Sequence, residues 1–445
     1  MSSGLGHRTP QDRPGRTKRA WAAAVVVLTL AGFAFLSGVD PGSRRSDPDA
    51  RIQFYKLRLG GPTTYPAYAQ LGLAYLQRAR NTGRATDYAE AERHLRQSLA
   101  YQRNFEALRG LATLHLGRHE FREALGWAQE AADALPSDLE TQGLLFDIHL
   151  ALGEQRKAAE IADQMMRAQM GFESLARVAA LDEAQGNPSG ALRVMGQACL
   201  QAEAEQQPVD VLAWCQVRVG SIYLATCDAV QAGHRFERAL LILPDSAPAR
   251  EHLAELRAAQ GNVTEAIAPY RELMAESLRT EYRLALADLL ALTGRNEEAS
   301  RERKRAAAEL RVSAETSRAG RRPLALHLLD DPATAEEGLH WAARDWENRR
   351  DAFAADTLAW AYLRNNRPEE AWRILEPVVS PEASGGSKDP LFLLHAAQIQ
   401  HARDRAAEAR RFFEEVLACP ARLTPAERLL AEQTQALLLQ RKPRL

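Results

Sequence analysis

Histidine and carboxylate spacing is the first place in this chain where chemistry could arise. His115 and His119 stand four residues apart with Glu120 and Glu123 close behind. On one helix face that set would serve a metal ion. Gly117 and Arg118 fall between the rings, where the surrounding periodicity calls for a turn, so both rings are expected to flank a loop. The four cysteines, Cys199, Cys215, Cys227 and Cys419, contain no CxxC, which removes the paired thiolates of a structural zinc site. They read as buried or half-buried free thiols. A Cys199–Cys215 bond stays open if the body is exported, because these two residues end one predicted helix and begin the next. No GxGxxG in a strand–turn–helix setting, no GxxxxGK(S/T), no HExxH and no GxSxG occurs. The reading predicts no catalytic residue, no metal site and no cofactor.

Charge narrows the partners. Lys plus Arg total 57 and Asp plus Glu 58, a formal net charge of -1. Nucleic-acid affinity rests on a basic excess along one face, so this balance argues against a nucleic-acid partner. The basic stretches at 301–305 (RERKR) and 318–322 (RAGRR) are surrounded by acidic residues and read as an exposed helix face with its following turn. His340, Trp341, Trp346, Trp360 and Trp372 read as packing between helices.

The elements that would position any site begin at the N-terminus. Residues 20–39, AWAAAVVVLTLAGFAFLSGV, carry no charge, and as a helix they would span roughly 30 Å, the depth of a bilayer core. Arg8, Arg13, Arg16, Lys18 and Arg19 precede them. The pattern predicts a basic cytoplasmic N-terminus over 1–19, a transmembrane signal anchor over 20–39 and a flexible spacer over 40–50. The body, 51–445, would then lie on the periplasmic or extracytoplasmic side. A cleaved signal peptide is the rival, although Leu36 stands where a small residue is wanted.

From about residue 51 onward apolar residues recur at three and four positions, without strand-like alternation, which predicts an all-α body. The breaks fall at regular distances. In the unit Ala213–Ser246, Val219, Gly220, Tyr223, Ala232, Phe236, Ala239 and Pro244 occupy offsets 7, 8, 11, 20, 24, 27 and 32. Gly220 and Ala232 are small where two antiparallel helices must approach closely, Tyr223 and Phe236 fill the gap above and below, and Pro244 stops the second helix. Ala124, Ala158, Ala191, Ala266 and Ala299 stand at the same offset as Ala232 in neighbouring units. Residues 312–351 form a divergent unit turning at Asp331-Pro332, a glycine-serine stretch at 383–390 separates the last two units, and 424–440 reads as a capping helix.

Over roughly residues 65–420 this pattern resembles the tetratricopeptide repeat (TPR) family. The resemblance implies an α-solenoid, a right-handed superhelix whose concave groove binds a protein or peptide, and it names no particular partner. By the family's offsets, Trp214 at offset 2 and Arg109 at offset 5 are expected to face the groove, and Glu251, Glu255, Glu281 and Asp288 to make it acidic over 250–290. Some members grip a C-terminal carboxylate with a clamp of basic and amide side chains. Here Thr113, Glu140, Gly143, Leu144 and Asp147 occupy the clamp offsets, so that mode is not supported. The expected function is a membrane-anchored protein-interaction scaffold. An accessory subunit of an envelope enzyme, secretion or biogenesis complex is the alternative, and an enzyme with an unmotifed site a distant third. The sequence does not indicate an oligomeric state.

Overall fold

The computed structural model of the chain describes residues 48–59, 64–380, 387, 389–418, 423 and 425–440. A short helix, Pro48–Lys56, precedes ten antiparallel helix pairs. The first five hairpins are Thr64–Thr82 with Ala85–Tyr101, Phe105–Gly117 with Phe121–Ala134, Leu139–Ala151 with Gln155–Ala168, Phe172–Ala184 with Pro188–Ala204, and Val209–Ala225 with Ala229–Ile242. The sixth to eighth are Ala247–Ala259 with Val263–Glu276, Thr280–Leu292 with Asn296–Thr316, and Arg321–Leu329 with Ala335–Trp346. Ala352–Arg364 with Pro368–Val379 and Pro390–Ala402 with Ala406–Leu417 complete the set, and Pro425–Gln440 follows. Each hairpin packs on the next, and the first helices of most successive hairpins also touch one another, which makes them the inner layer of a solenoid.

Local sequence explains why the helices stop and start where they do. At the hairpin turns the second residue after the first helix adopts the left-handed conformation, as at His119 (φ 58), Gly153 (φ 76), Cys227 (φ 67) and Asp404 (φ 61). The next amide then reaches back to the helix: Glu120 N–H to the His115 carbonyl at 2.8 Å, Glu154 to His149 at 2.8 Å, Asp228 to Tyr223 at 2.9 Å and Arg405 to Gln400 at 2.9 Å. This is a Schellman closure, which satisfies carbonyls that the helix end leaves open. Starts are marked by short acceptors. Asn104, Asp138, Asp228 and Asp351 take hydrogen bonds from the amides of Ala107, Thr141, Gln231 and Ala354 at 2.8–3.0 Å.

The small residues do the work their register implies. Ala124, Ala158, Ala191, Ala232, Ala266 and Ala299 are all buried. A Cβ on Gly220 would come within 2.5 Å of the Phe236 ring, and one on Gly72 within 2.7 Å of Leu95. Phe236 and Ala239 lie in one core cluster with Ala232, Tyr223 packs against its edge, and Pro244 stands in the turn beyond the second helix.

Winding brings distant parts of the chain together, which the repeat pattern does not show. Leu278 N–H donates to the Thr82 carbonyl at 3.0 Å, joining the loop after the sixth hairpin to the turn of the first. Arg318, in the loop after the seventh, makes a two-pronged ion pair with Glu123 beside the turn of the second, at 2.9 and 2.8 Å and a separation of 195 residues. Arg349, in the loop after the eighth, lies over the Phe121 ring at 5.8 Å. The Arg350 carbonyl in that same loop meets the turn of the third hairpin at Gly153. One superhelical turn therefore takes roughly six 34-residue units, and successive turns are in contact along a seam.

Several expectations are corrected here. No helix among the described residues is long and apolar enough to cross a membrane, so the preceding transmembrane helix is not part of the observed architecture. The segment expected to supply it, 20–39, lies outside the described residues, as do the expected cytoplasmic segment 1–19 and most of the 40–50 spacer, whose last residues enter the helix Pro48–Lys56. The periplasmic placement of the body rested on that helix alone, so neither membrane attachment nor this localisation stands. Cys199 and Cys215 are buried free thiols, whereas Cys227 is disulfide-bonded. A hydrogen bond with Cys199, together with burial, pushes the Cys215 thiol up. Within 312–351, 3-10 turns at Arg318–Gly320 and Pro332–Thr334 flank the short first helix, and Pro323 sits in its first turn, where proline is tolerated.

The seam gives a first prediction. Gly153 has φ +76, and a Cβ there would stand 2.7 Å from the Arg350 carbonyl oxygen, whereas Gly261, with φ +98, has nothing within 4 Å. Gly261→Ala should cost only the backbone conformation, about 1–3 kcal/mol in urea unfolding, and Gly153→Ala distinctly more. Faster amide exchange over 347–351 should accompany the Gly153→Ala loss. Equal losses at the two positions would mean that the third turn does not bear on Arg350.

Candidate functional site

The inner layer is where the expected site residues should meet. Glu251 and Glu255 lie one helical turn apart on Ala247–Ala259, both buried, at 2% and 9% exposure. His252 Nδ1 is 3.0 Å from Glu255 Oε2, and the His252 ring stacks on Phe236 at 5.1 Å. Tyr270 and Tyr282 close the cluster from the two neighbouring helices. Among the described residues one oxygen of each carboxylate, Glu251 Oε2 and Glu255 Oε1, has no hydrogen-bond partner. Burial first, and the charge of Glu255 second, push the Glu251 carboxyl up to about 8. Burial opposes the charge on His252, but its bond with Glu255 and the nearby carboxylates outweigh that and raise its pKa. Burial likewise raises Tyr270 and Tyr282.

Asp288, Arg109 and Trp214 are not brought to this cluster, whereas Glu281 is. Asp288 is buried and takes a hydrogen bond from Arg303 at 2.6 Å. Arg109 is half-buried, hydrogen-bonded to Glu140, 3.6 Å from Asp138 and 5.2 Å over the Phe105 ring, so its charge is taken up between adjacent inner helices. Trp214 is 9% exposed and meets Phe172 edge to face at 6.0 Å within the core between the fourth and fifth hairpins, which leaves little of it to a partner. Glu281 is half-buried beside Glu251.

Sequence reasoning did not find the inner ion pairs. Arg177 is fully buried, hydrogen-bonded to Glu173 and 3.7 Å from Asp147, and its guanidinium fills the space that a side chain on Gly143 would occupy. Burial pushes the Asp147 carboxyl up to about 7 despite that cation. The histidine pair also resolves. His115 Nδ1 lies 2.5 Å from Glu120, and the same pairing recurs one unit later as His149 and Glu154 at 2.6 Å. That recurrence at 34 residues was the available signal. His119 is instead buried against Phe121, and burial, with Arg349 and Arg322 nearby, drives its pKa down to about 3.

A separate cleft of about 360 Å³ opens near the C-terminal end, lined by Trp360, Arg364, Asn366, Gln398, His401 and Thr434 among others. Arg364 is already engaged there, donating to the Leu329 carbonyl at 2.9 Å. No group of three or more His, Cys, Asp or Glu side chains that could hold a metal occurs among the described residues. The all-helical repeat fold is consistent with a non-catalytic scaffold.

No family model and no curated protein matches the chain. Among solved structures, a human IFIT1 dimer with m7Gppp-AAAA is 15% identical, with 74% of this chain and 75% of that chain covered and a TM-score of 0.47. A tetratricopeptide repeat protein from Parabacteroides merdae is 15% identical over 57% of this chain and 98% of its own, with a TM-score of 0.39. A thermophilic TPR protein of Thermus thermophilus is 17% identical over 43% of this chain and 97% of its own, with a TM-score of 0.38. None of these likenesses bears on function. The paired-helix solenoid of this chain is established by its own helix pairs and their recurring turns.

Glu251 makes stability depend on pH in a defined direction. Its folded pKa of about 8 lies above the ordinary glutamate value of 4.5, so the native state keeps a proton that the unfolded chain releases. Stability therefore falls as pH rises toward and through that value. Above about pH 7 the unfolded histidines are already neutral and do not obscure the trend. Thermal melts at about pH 7 and about pH 8.5 should show the parent losing stability and Glu251→Gln losing less. Parallel losses would mean that Glu251 is ionised throughout.

Proposed function

We propose that the protein is a non-catalytic interaction scaffold whose inner layer holds a protein or peptide segment carrying basic side chains. The observation that supports this reading is the Glu251–Glu255 pair. Two buried carboxylates one turn apart on an inner helix each leave an oxygen without a hydrogen-bond partner among the described residues, with Glu281 beside them. Tyr282 bonds Glu251, and Tyr270 and His252 bond Glu255, but burying two carboxylates side by side costs free energy that these donors offset only in part. A lysine or arginine from a partner would add a charged donor to the open oxygens and favour the ionised form of Glu251, releasing a proton as it binds. The partner would be extended, since successive inner helices offer contacts in a line.

Fluorescence anisotropy with labelled oligoarginine and oligoglutamate peptides at low ionic strength tests this. The basic peptide is expected to bind and the acidic one not, and the Glu251→Gln/Glu255→Gln double variant should weaken binding about tenfold. Equal binding of the two peptides, or no effect of the double substitution in a folded protein, would remove the acidic stretch as the site.

A further inference from the structure

The cleft near the C-terminal end involves other hairpins than the acidic stretch and has the opposite charge. The first helices of the ninth and tenth hairpins and the last helix, Pro425–Gln440, form its walls, together with Pro332 from the turn of the eighth. Its volume of about 360 Å³ is that of a small-molecule site. Arg364 and His401 line it, and none of the described lining residues is acidic. The Arg364 guanidinium is held in one pose. Nε and Nη2 donate to the Leu329 and Asp330 carbonyls, at 2.9 and 3.4 Å, where the first helix of the eighth hairpin ends, and Cζ lies 5.7 Å from the centre of the Trp360 ring. Among the described residues Nη1 has no acceptor and the guanidinium no carboxylate partner. The remaining walls are also fixed. Trp360 stacks on His395 at 4.1 Å and 13°, and Asp356 holds that imidazole at 2.7 Å. Gln398 Nε2 donates to Thr434 Oγ1 at 2.9 Å, and Thr434 Oγ1 donates to the Leu430 carbonyl at 2.7 Å. Gln398 Oε1 is thereby left as an acceptor without a donor among the described residues. Leu363, Ala402 and Pro332 supply apolar surface.

We infer that this cleft is a binding site for a small N-acylated amino acid with an apolar side chain. Each part of such a molecule answers a group on the walls. Its carboxylate pairs with Arg364, a charge-assisted contact for which the guanidinium is already oriented. Its amide N–H meets the open carbonyl oxygen of Gln398, and its side chain lies on Leu363 and Ala402. A free amino acid fits less well, because no described acidic residue lines the cleft to balance an ammonium group. The cleft ends against the last helix at Thr434, so it takes a molecule rather than a length of chain. The site is independent of the proposed binding of a basic segment on the inner layer.

Titration calorimetry of the full chain with N-acetyl-L-leucine and N-acetyl-L-leucinamide tests this. The acid should bind about tenfold more tightly than the amide, which lacks only the charge. Two variants locate the contact. Arg364→Gln should bind acid and amide alike. Because Arg364 also holds the end of a helix, Ala402→Trp serves as the second variant: Ala402 is exposed, and the indole fills the cleft while every hydrogen bond named above remains. It should melt with the parent by circular dichroism and bind the acid at least about tenfold more weakly. No binding of the acid, equal binding of acid and amide by the parent, or unchanged binding by Ala402→Trp would overturn the site. A hexapeptide ending in leucine that binds more tightly than N-acetyl-L-leucine would overturn the assignment to a small molecule in favour of a chain end.

Discussion

In each hairpin the two helices can approach closely because one of them offers almost no side chain at the crossing. The Phe236 ring lies where a Gly220 side chain would be, Leu95 does the same over Gly72, and alanines hold the matching position of the second helix from Ala124 to Ala299. This spacing constrains everything above it. The separation of the paired helices sets how each hairpin sits on the next, and the small rotation per unit, repeated, sets how many units make a turn. With about six units per turn, the turns of the first three hairpins arrive against the loops that follow the sixth, seventh and eighth. A wider hairpin would change the pitch and move all of these meetings at once.

Winding this tight changes the inner helices. An open solenoid presents them to water, and charged residues there cost little. Here Asp147, Arg177, Glu251, Asp288 and Arg322 are nearly inaccessible. Most such charges are compensated within the chain, as Arg177 is by Glu173 and Asp288 by Arg303. Glu251 departs from this rule, as Asp147 does: its neighbours include a second carboxylate, and burial pushes its carboxyl well above the usual range.

What could be read in advance divides along the same line. The register of small residues, the helix class and the turn positions depend on residues within one 34-residue unit, and they are legible in the chain as written. The seam is not, because Arg318 and Glu123 are 195 residues apart and nothing periodic marks either of them. The expected groove residues suffered from the same blindness. Offset 5 puts Arg109 on an inner helix, but only the neighbouring helix shows that Glu140 is waiting for it. Trp214 was expected in the groove by its offset, yet Phe172 from the preceding hairpin takes up the ring. Glu251 and Glu255 share one helix, so their proximity needed no distant partner. The apolar run at 20–39 lies outside the described residues, and its hydropathy alone led to an anchor that no described helix provides.

The separation across the seam also has a consequence in time. Contacts inside a hairpin join residues a few tens of positions apart and can form as soon as that stretch of chain exists, whereas a contact spanning 195 residues must wait for several hairpins to stack in order. The solenoid would then gain most of its helix and most of its buried surface before Thr82 ever meets Leu278. Closure of the coil is its own late event, separable from the folding of the units that it joins.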